Sequence, residues 1–258
     1  MKGFAIDMDG TVYRGERPIP GAVEFIRSLR EKGIPFRFLT NNSSHGRDFY
    51  VERLNRMGFD VTRNEILSST MATARYIVKN FPGKSVYPVG VPDFEKEIQE
   101  YGIIIDRSDP DIVLLAFDTT IDYGKINDAY HFLKDGKLFI ATHPDDLCPT
   151  EGGYDIDIGP FIRMFEQMTS SKAIVIGKPN RLMLEMAALE MGIESDDVIM
   201  VGDRIYTDIR MASDNGTMSI MVLTGEATED DIELSGIRPT FVCNSVAEIM
   251  TLGIEFQQ

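Results

Sequence analysis

Asp7-Met8-Asp9-Gly10-Thr11 sets two carboxylates one residue apart at the end of the apolar run Phe4-Ala5-Ile6. Side chains two positions apart on a strand point the same way, so a strand continuing through Met8 aims both acids at one place. Such a pair is tolerable when a cation lies between the acids or one of them holds a proton. Gly10 permits a sharp turn or the close approach of a ligand. Three more apolar runs end in groups that can do chemistry. Residues 36–39 lead into Thr40-Asn41-Asn42, 174–176 into Gly177-Lys178-Pro179, and 198–201 into Gly202-Asp203-Arg204, with Asp208 five residues beyond Asp203. A single Asp or Asn at a strand end is an ordinary turn former. Four tips of complementary charge, all on the C-terminal side of their strands, mark the edge where open parallel sheets bind ligands.

These residue types suit phosphoryl chemistry. Mg²⁺ prefers oxygen ligands, uses few carboxylates and keeps positions for water and phosphate. Asp7 and Asp203 can supply two ligands, with a backbone carbonyl near Asp9 as a third. An aspartate can act as nucleophile and form an aspartyl phosphate. A second carboxylate can protonate the leaving oxygen and later deprotonate a water. The Thr40 hydroxyl, the Asn41 amide and the Lys178 ammonium can hold phosphoryl oxygens and stabilise charge in the transition state. Asp208 is placed to orient Lys178 or a metal-bound water.

The elements that carry these tips alternate. After the first strand, Val23, Phe25, Ile26 and Leu29 recur at helical spacing over 22–32 and Gly33 stops the helix. Strand 36–39, helix 46–57, the short run 66–67 and helix 70–80 follow. This order predicts a parallel sheet with helical crossovers. Pro82-Gly83 marks a boundary. Beyond it, strands 85–89, 112–117 and 138–142 alternate with helices 94–101 and 123–133. A polar loop over 143–153 and a helix over 160–168 complete a small α/β insert. From Ala173 the first pattern resumes, with strand 174–176, helix 181–191, strand 198–201, helix 207–213 and last strands at 219–223 and 240–243. The expected division is a core of 1–80 and 173–258 around an inserted domain of 81–172.

The chain has 258 residues, 43% of them hydrophobic, and carries 26 basic against 41 acidic side chains, a net charge of −15. Such a surface argues against nucleic acid and anionic membrane as partners. No apolar run reaches the ~18 residues of a membrane span, and Lys2 with an early Asp7 fits no signal peptide, so a cytoplasmic location is expected. Cys148 and Cys243 are in neither metal-ligand nor redox spacing and read as reduced, space-filling thiols. The 14 methionines fall within apolar helices and strands and read as core. Glu229-Asp230-Asp231 suits a helix N-terminus.

The four motifs together resemble the haloacid dehalogenase superfamily of aspartate-nucleophile hydrolases. Asp7-Met8-Asp9-Gly10-Thr11-Val12 is similar to its first motif, Thr40-Asn41-Asn42 to the second, Gly177-Lys178-Pro179 to the third, and Gly202-Asp203-Arg204 with Thr207-Asp208 to the fourth. Their wording, and the large insert between the second and third, most resemble the NagD-like, 4-nitrophenylphosphatase-like subfamily. The resemblance implies an α/β fold: a doubly wound, Rossmann-like parallel-sheet core with a smaller α/β cap of the C2 type. It implies Asp7 as nucleophile and metal ligand, and Asp9 as general acid/base that gives its carbonyl to Mg²⁺. Thr40 and Lys178 then bind the phosphoryl group with help from Asn41, Asp203 ligates the metal and Asp208 supports the site. The expected activity is Mg²⁺-dependent hydrolysis of small phosphomonoesters, such as sugar phosphates, nucleoside monophosphates or 4-nitrophenyl phosphate. The expected partner is a small phosphorylated metabolite, and the subfamily suggests a homodimer joined through the cap. An acid two residues after the nucleophile favours ester hydrolysis, because a leaving alkoxide needs a proton and a halide does not.

The cap loop departs from the subfamily's pattern. His143 stands where Asn is usual, and Asp157-Ile158-Gly159-Pro160 replaces a turn rich in small residues and glycine. By resemblance this loop, with His143 and Asp145, faces the catalytic tips and helps choose the substrate, though His143 also reads as an ordinary loop histidine. His45 reads as part of the next helix start and His131 as surface or packing. Three other readings compete: a phosphotransferase or mutase on the same scaffold, a phospho-accepting signalling domain that is not an enzyme, and a dinucleotide-binding dehydrogenase. Familiar mutases carry their cap after the first motif, where 9–40 leaves room for little beyond one helix. Receiver domains are about half this length, and the dehydrogenase lacks its glycine-rich turn.

Overall fold

The computed structural model describes residues 1–150 and 152–254. Glu151, inside the expected loop 143–153, and residues 255–258, at the end of the expected core, lie outside the described residues. The chain forms two compact α/β units, one of residues 1–40, 47–67 and 178 onward, the other of residues 41–46 and 68–177.

The first unit is built on a six-stranded sheet. Its spatial order is Phe241–Cys243, Met218–Val222, Val198–Gly202, Gly3–Asp7, Phe36–Thr40 and Ile66–Ser68. Gly3–Asp7 pairs in parallel with Val198–Gly202 on one side and Phe36–Thr40 on the other. The chain order therefore reverses at this strand, which makes its C-terminal tip a topological switch point. Phe4, Ala5 and Ile6 are wholly buried, as a strand covered on both faces requires. Helix Ala22–Glu31 buries Ala22, Phe25, Ile26 and Leu29, one stripe at 3.6-residue spacing. Phe25 meets Phe4 edge to face with ring centroids 5.7 Å apart. Each such aromatic withdraws enough surface from water to contribute about 2–3 kcal/mol, which fixes this strand in the sheet.

The second unit has a five-stranded parallel sheet in the order Ile174–Val175, Leu138–Ala141, Ile112–Leu115, Ser85–Val89, Ile104–Ile105. Phe139 of this sheet packs edge to face on Phe165 of helix Gly159–Thr169, at 5.8 Å between centroids.

Three local features differ from the sequence reading. Ile174–Val175 does not join the first sheet, because it pairs with Ile140 and Ala141, and the first unit resumes at Lys178. Strand Leu147–Thr150 pairs antiparallel with Gly153–Ile156, forming a hairpin within and beyond the expected polar loop. The first strand stops at Asp7, after which the Met8 carbonyl accepts the N–H groups of Thr11, Val12 and Tyr13. Gly10, at φ +82°, closes that turn in a conformation only glycine adopts without strain. Strand alternation therefore does not place Asp9, whereas Asp7 holds the strand tip. Among the described residues no helix is long and apolar enough to cross a membrane.

Candidate active site

Four of the expected groups converge in the first unit. The Lys178 ammonium hydrogen-bonds the Asp7 carboxylate and, at 2.7 Å, Asp208 Oδ1. Asp7, Asp203 and Asp208 each offer a carboxylate oxygen within 4.8 Å of the others, and all three are buried. Thr40 ends the strand beside Asp7, where Leu39 is the register partner of Asp7, and is itself buried.

Each position has a local cause. Asp203 follows the fully buried strand Val198–Gly202. Its Oδ2 accepts from the Glu226 amide at 2.7 Å, and its Oδ1 accepts from the Thr11 hydroxyl at 3.3 Å. Asp208 sits in the widened helical turn Ile205–Ile209, of π type, where its Oδ2 accepts from the Arg204 amide at 3.2 Å. Single π turns of this kind often re-aim a side chain at a functional site. Glycines make room for the acids. A Cβ on Gly225 would lie 1.9 Å from Asp203 Oδ2, one on Gly10 2.4 Å from the same oxygen, and one on Gly202 2.4 Å from the Asp208 carboxylate.

Three carboxylates share this pocket with one ammonium. Burial first, then the charges of Asp7 and Asp208, push Asp203 up to about 8. Burial raises Asp208 to about 6 against the pull of Lys178. Burial alone would lower the Lys178 pKa, but Asp208 and Asp7 outweigh it and hold it above the ordinary lysine value. The excess negative charge and the oxygen-only donor set fit a hard divalent cation such as Mg²⁺. All three acids accept hydrogen bonds from the protein, Asp7 and Asp208 from Lys178 and Asp203 from Glu226 and Thr11, and all three bring an oxygen to the same small volume.

Asp9 differs from these acids. Its side chain keeps access to solvent, yet partial desolvation and then the charge of Asp7 raise its pKa, against opposing pulls from Arg53, Arg204 and Arg14. Arg53 is held nearby by stacking on Tyr13, 4.7 Å from the ring centroid, and by a 2.8 Å bond to the Gly15 carbonyl.

Asn41 belongs to the second unit, where its amide donates to both oxygens of Asp145 at 3.1 Å. His143 lies in the same unit, wholly buried. The part played by the 224–226 turn escaped the sequence reading. Thr224 Oγ1 donates to the Gly10 carbonyl at 2.6 Å, so this turn braces the first motif as well as Asp203. The available signal was a Thr-Gly pair just after the strand over 219–223.

Comparison with known proteins agrees with this arrangement. Residues 4–104 match the family model of the haloacid dehalogenase-like hydrolases, and 175–249 match a HAD-hydrolase-like model. The chain is 32% identical over 251 residues to the 5'-nucleotidase YutF of Bacillus subtilis, covering 96% of each chain. It is 34% identical over 241 residues to an acid sugar phosphatase of Staphylococcus aureus, covering 93% of each. The crystal structure of a 4-nitrophenylphosphatase from Thermotoga maritima superposes with a TM-score of 0.93 at 38% identity, over 97% of both chains. The chain belongs to the haloacid dehalogenase-like hydrolases, in their NagD-like, 4-nitrophenylphosphatase-like branch. It is a phosphoric monoester hydrolase.

Proposed function

We propose that the protein hydrolyses small phosphomonoesters through an aspartyl-phosphate intermediate with Mg²⁺ as cofactor. The observation that carries the reading is the Lys178 ammonium bonded to Asp7 and Asp208 beside the buried Asp203. Asp7 is the nucleophile. A carboxylate oxygen of Asp7 attacks phosphorus, the bond from phosphorus to the ester oxygen breaks, and Asp9 gives that oxygen its proton. Asp9 then takes a proton from a water that attacks phosphorus, and cleavage of the acyl phosphate frees Asp7 and inorganic phosphate. The raised pKa of Asp9 supports its holding a proton for the first step. Thr40 and Lys178 bind the phosphoryl oxygens, Asn41 assists, and Asp208 positions Lys178. Asp7, Asp203 and the Asp9 carbonyl would hold Mg²⁺, which when bound neutralises charge on the transferring phosphoryl group.

The second unit acts as the cap, and its loop with His143 and Asp145 selects the substrate. The relatives named as a 5'-nucleotidase and an acid sugar phosphatase favour nucleoside monophosphates and sugar phosphates as the substrate class. A cytoplasmic location accords with the two free thiols, Cys148 and Cys243. The experiment is hydrolysis of 4-nitrophenyl phosphate with Mg²⁺ or with EDTA, by the wild type and by Asp7→Asn. We expect metal-dependent release of phosphate by the wild type and none above background by the variant. Full turnover by Asp7→Asn would overturn the assignment of the nucleophile.

A further inference from the structure

His143 lies between two carboxylates without a hydrogen bond to either. Its ring is wholly buried, and Nδ1 has no hydrogen-bond partner. Nδ1 is 3.8 Å from Asp145 Oδ2, and Nε2 is 3.6 Å from Asp157 Oδ1 and 3.5 Å from Ser43 Oγ. One ligand atom from each of His143, Asp145 and Asp157 lies within 4.8 Å of the other two. All of these residues belong to the second unit, as does Asn41, whose amide is bonded to Asp145.

We propose that His143, Asp145 and Asp157 form a second metal site, one for a divalent transition ion of the Zn²⁺ type. A buried imidazole nitrogen without a partner loses the hydrogen bond it would make in water. Ligands around a tetrahedral ion with bonds of about 2.0–2.1 Å stand roughly 3.4 Å apart; the unpartnered Nδ1 and Asp145 Oδ2 are near that spacing at 3.8 Å, and an oxygen of Asp157 completes the group within 4.8 Å. Nitrogen with two carboxylates is a donor set that Zn²⁺ accepts, whereas a hard ion such as Mg²⁺ prefers oxygen alone. The surroundings already position these groups. Asp157 Oδ1 accepts from the Ile158 amide at 2.7 Å, and Ser43 Oγ accepts from the Phe117 amide at 2.9 Å.

The ligands flank the hairpin of Leu147–Thr150 and Gly153–Ile156. Asp145 precedes it and Asp157 follows it, and the Gly159 amide donates to the Asp145 carbonyl at 2.8 Å. An ion here would staple the two feet of the hairpin to the strand that ends before His143. The inference does not depend on the catalytic reading.

The test exploits the presence of only three histidines in the chain. Wild-type protein with ¹⁵N-labelled imidazoles is saturated with Mg²⁺ and titrated with Zn²⁺. One equivalent should move the His143 Nδ1 resonance to a metal-bound position and leave His45 and His131 unchanged. Equilibrium dialysis of Asp145→Asn, a substitution at a partly exposed position, and of Asp157→Asn should show this Zn²⁺ bound at least ~100-fold more weakly. A His143 ring that ignores Zn²⁺, including one that stays an imidazolium throughout, would overturn the proposal. So would retention of the same Zn²⁺ affinity by both variants.

Discussion

Asp203 shows how far a single buried carboxylate can be displaced from its solution behaviour. Burial and the neighbouring acids raise its pKa to about 8, and that of Asp208 to about 6. A folded state that holds a proton more tightly than the unfolded chain gains stability at low pH and loses it as pH rises through the folded pKa. Without metal, stability should therefore fall between about pH 4 and pH 8. Lys178, with its pKa raised above an already basic value, adds no slope in that window. A divalent ion needs the carboxylates ionised, so its stabilising effect should grow as pH rises. Calorimetric melting at pH 5 to 8, with EDTA and with Mg²⁺, should show a falling Tm in EDTA and a widening gap between the two series. A Tm in EDTA that is flat or rises from pH 5 to pH 8 would contradict this electrostatic picture.

At the scale of elements, the site depends on glycines that let backbone approach carboxylates. Gly225→Ala places a methyl group 1.9 Å from Asp203 Oδ2, and the carboxylate or the turn must move. Mg²⁺ affinity should drop at least ~10-fold while the circular dichroism spectrum is unchanged, as calorimetric titration can check. Gly192→Ala is the control. Nothing lies within 4 Å of its Cβ, but φ is +68°, so it should cost about 1 kcal/mol of stability and leave Mg²⁺ binding intact.

The same scale separates what the sequence discloses from what it hides. The acids at 7 and 203 and the threonine at 40 are readable because an apolar strand announces its own tip. Lys178 is readable as a residue, but the strand before it pairs with Ile140 and Ala141, and two apolar residues carry no mark of which sheet they join. The hairpin after Asp146 is hidden because Pro149 and exposed side chains obscure its alternation. The bracing by the 224–226 turn is hidden because a backbone amide donating to Asp203 has no residue signature. His143 and Asp145 are two residues apart, but Asp157 joins them only when the hairpin of Leu147–Thr150 and Gly153–Ile156 closes.

On the scale of the whole molecule, a chain of net charge −15 handles an anionic ester by confining the compensating charge to one place. In the proposed reading, Lys178 and a divalent ion that Asp7 and Asp203 would hold supply it at the switch point of the first sheet. In the proposed mechanism the acids divide their work: Asp7 would attack, and Asp9 would move protons. Asp9→Asn separates the two roles with 4-nitrophenyl phosphate, whose leaving group departs with little help from an acid. Activating the water still requires Asp9, so the first step should outrun the second. Rapid mixing with acid quench and mass spectrometry should reveal a burst of about one nitrophenolate per chain, steady turnover slowed ~10²–10⁴-fold, and a phosphoryl group on Asp7. A burst with the phosphoryl group on another residue, or slow turnover with none on the protein at any time, would contradict the account.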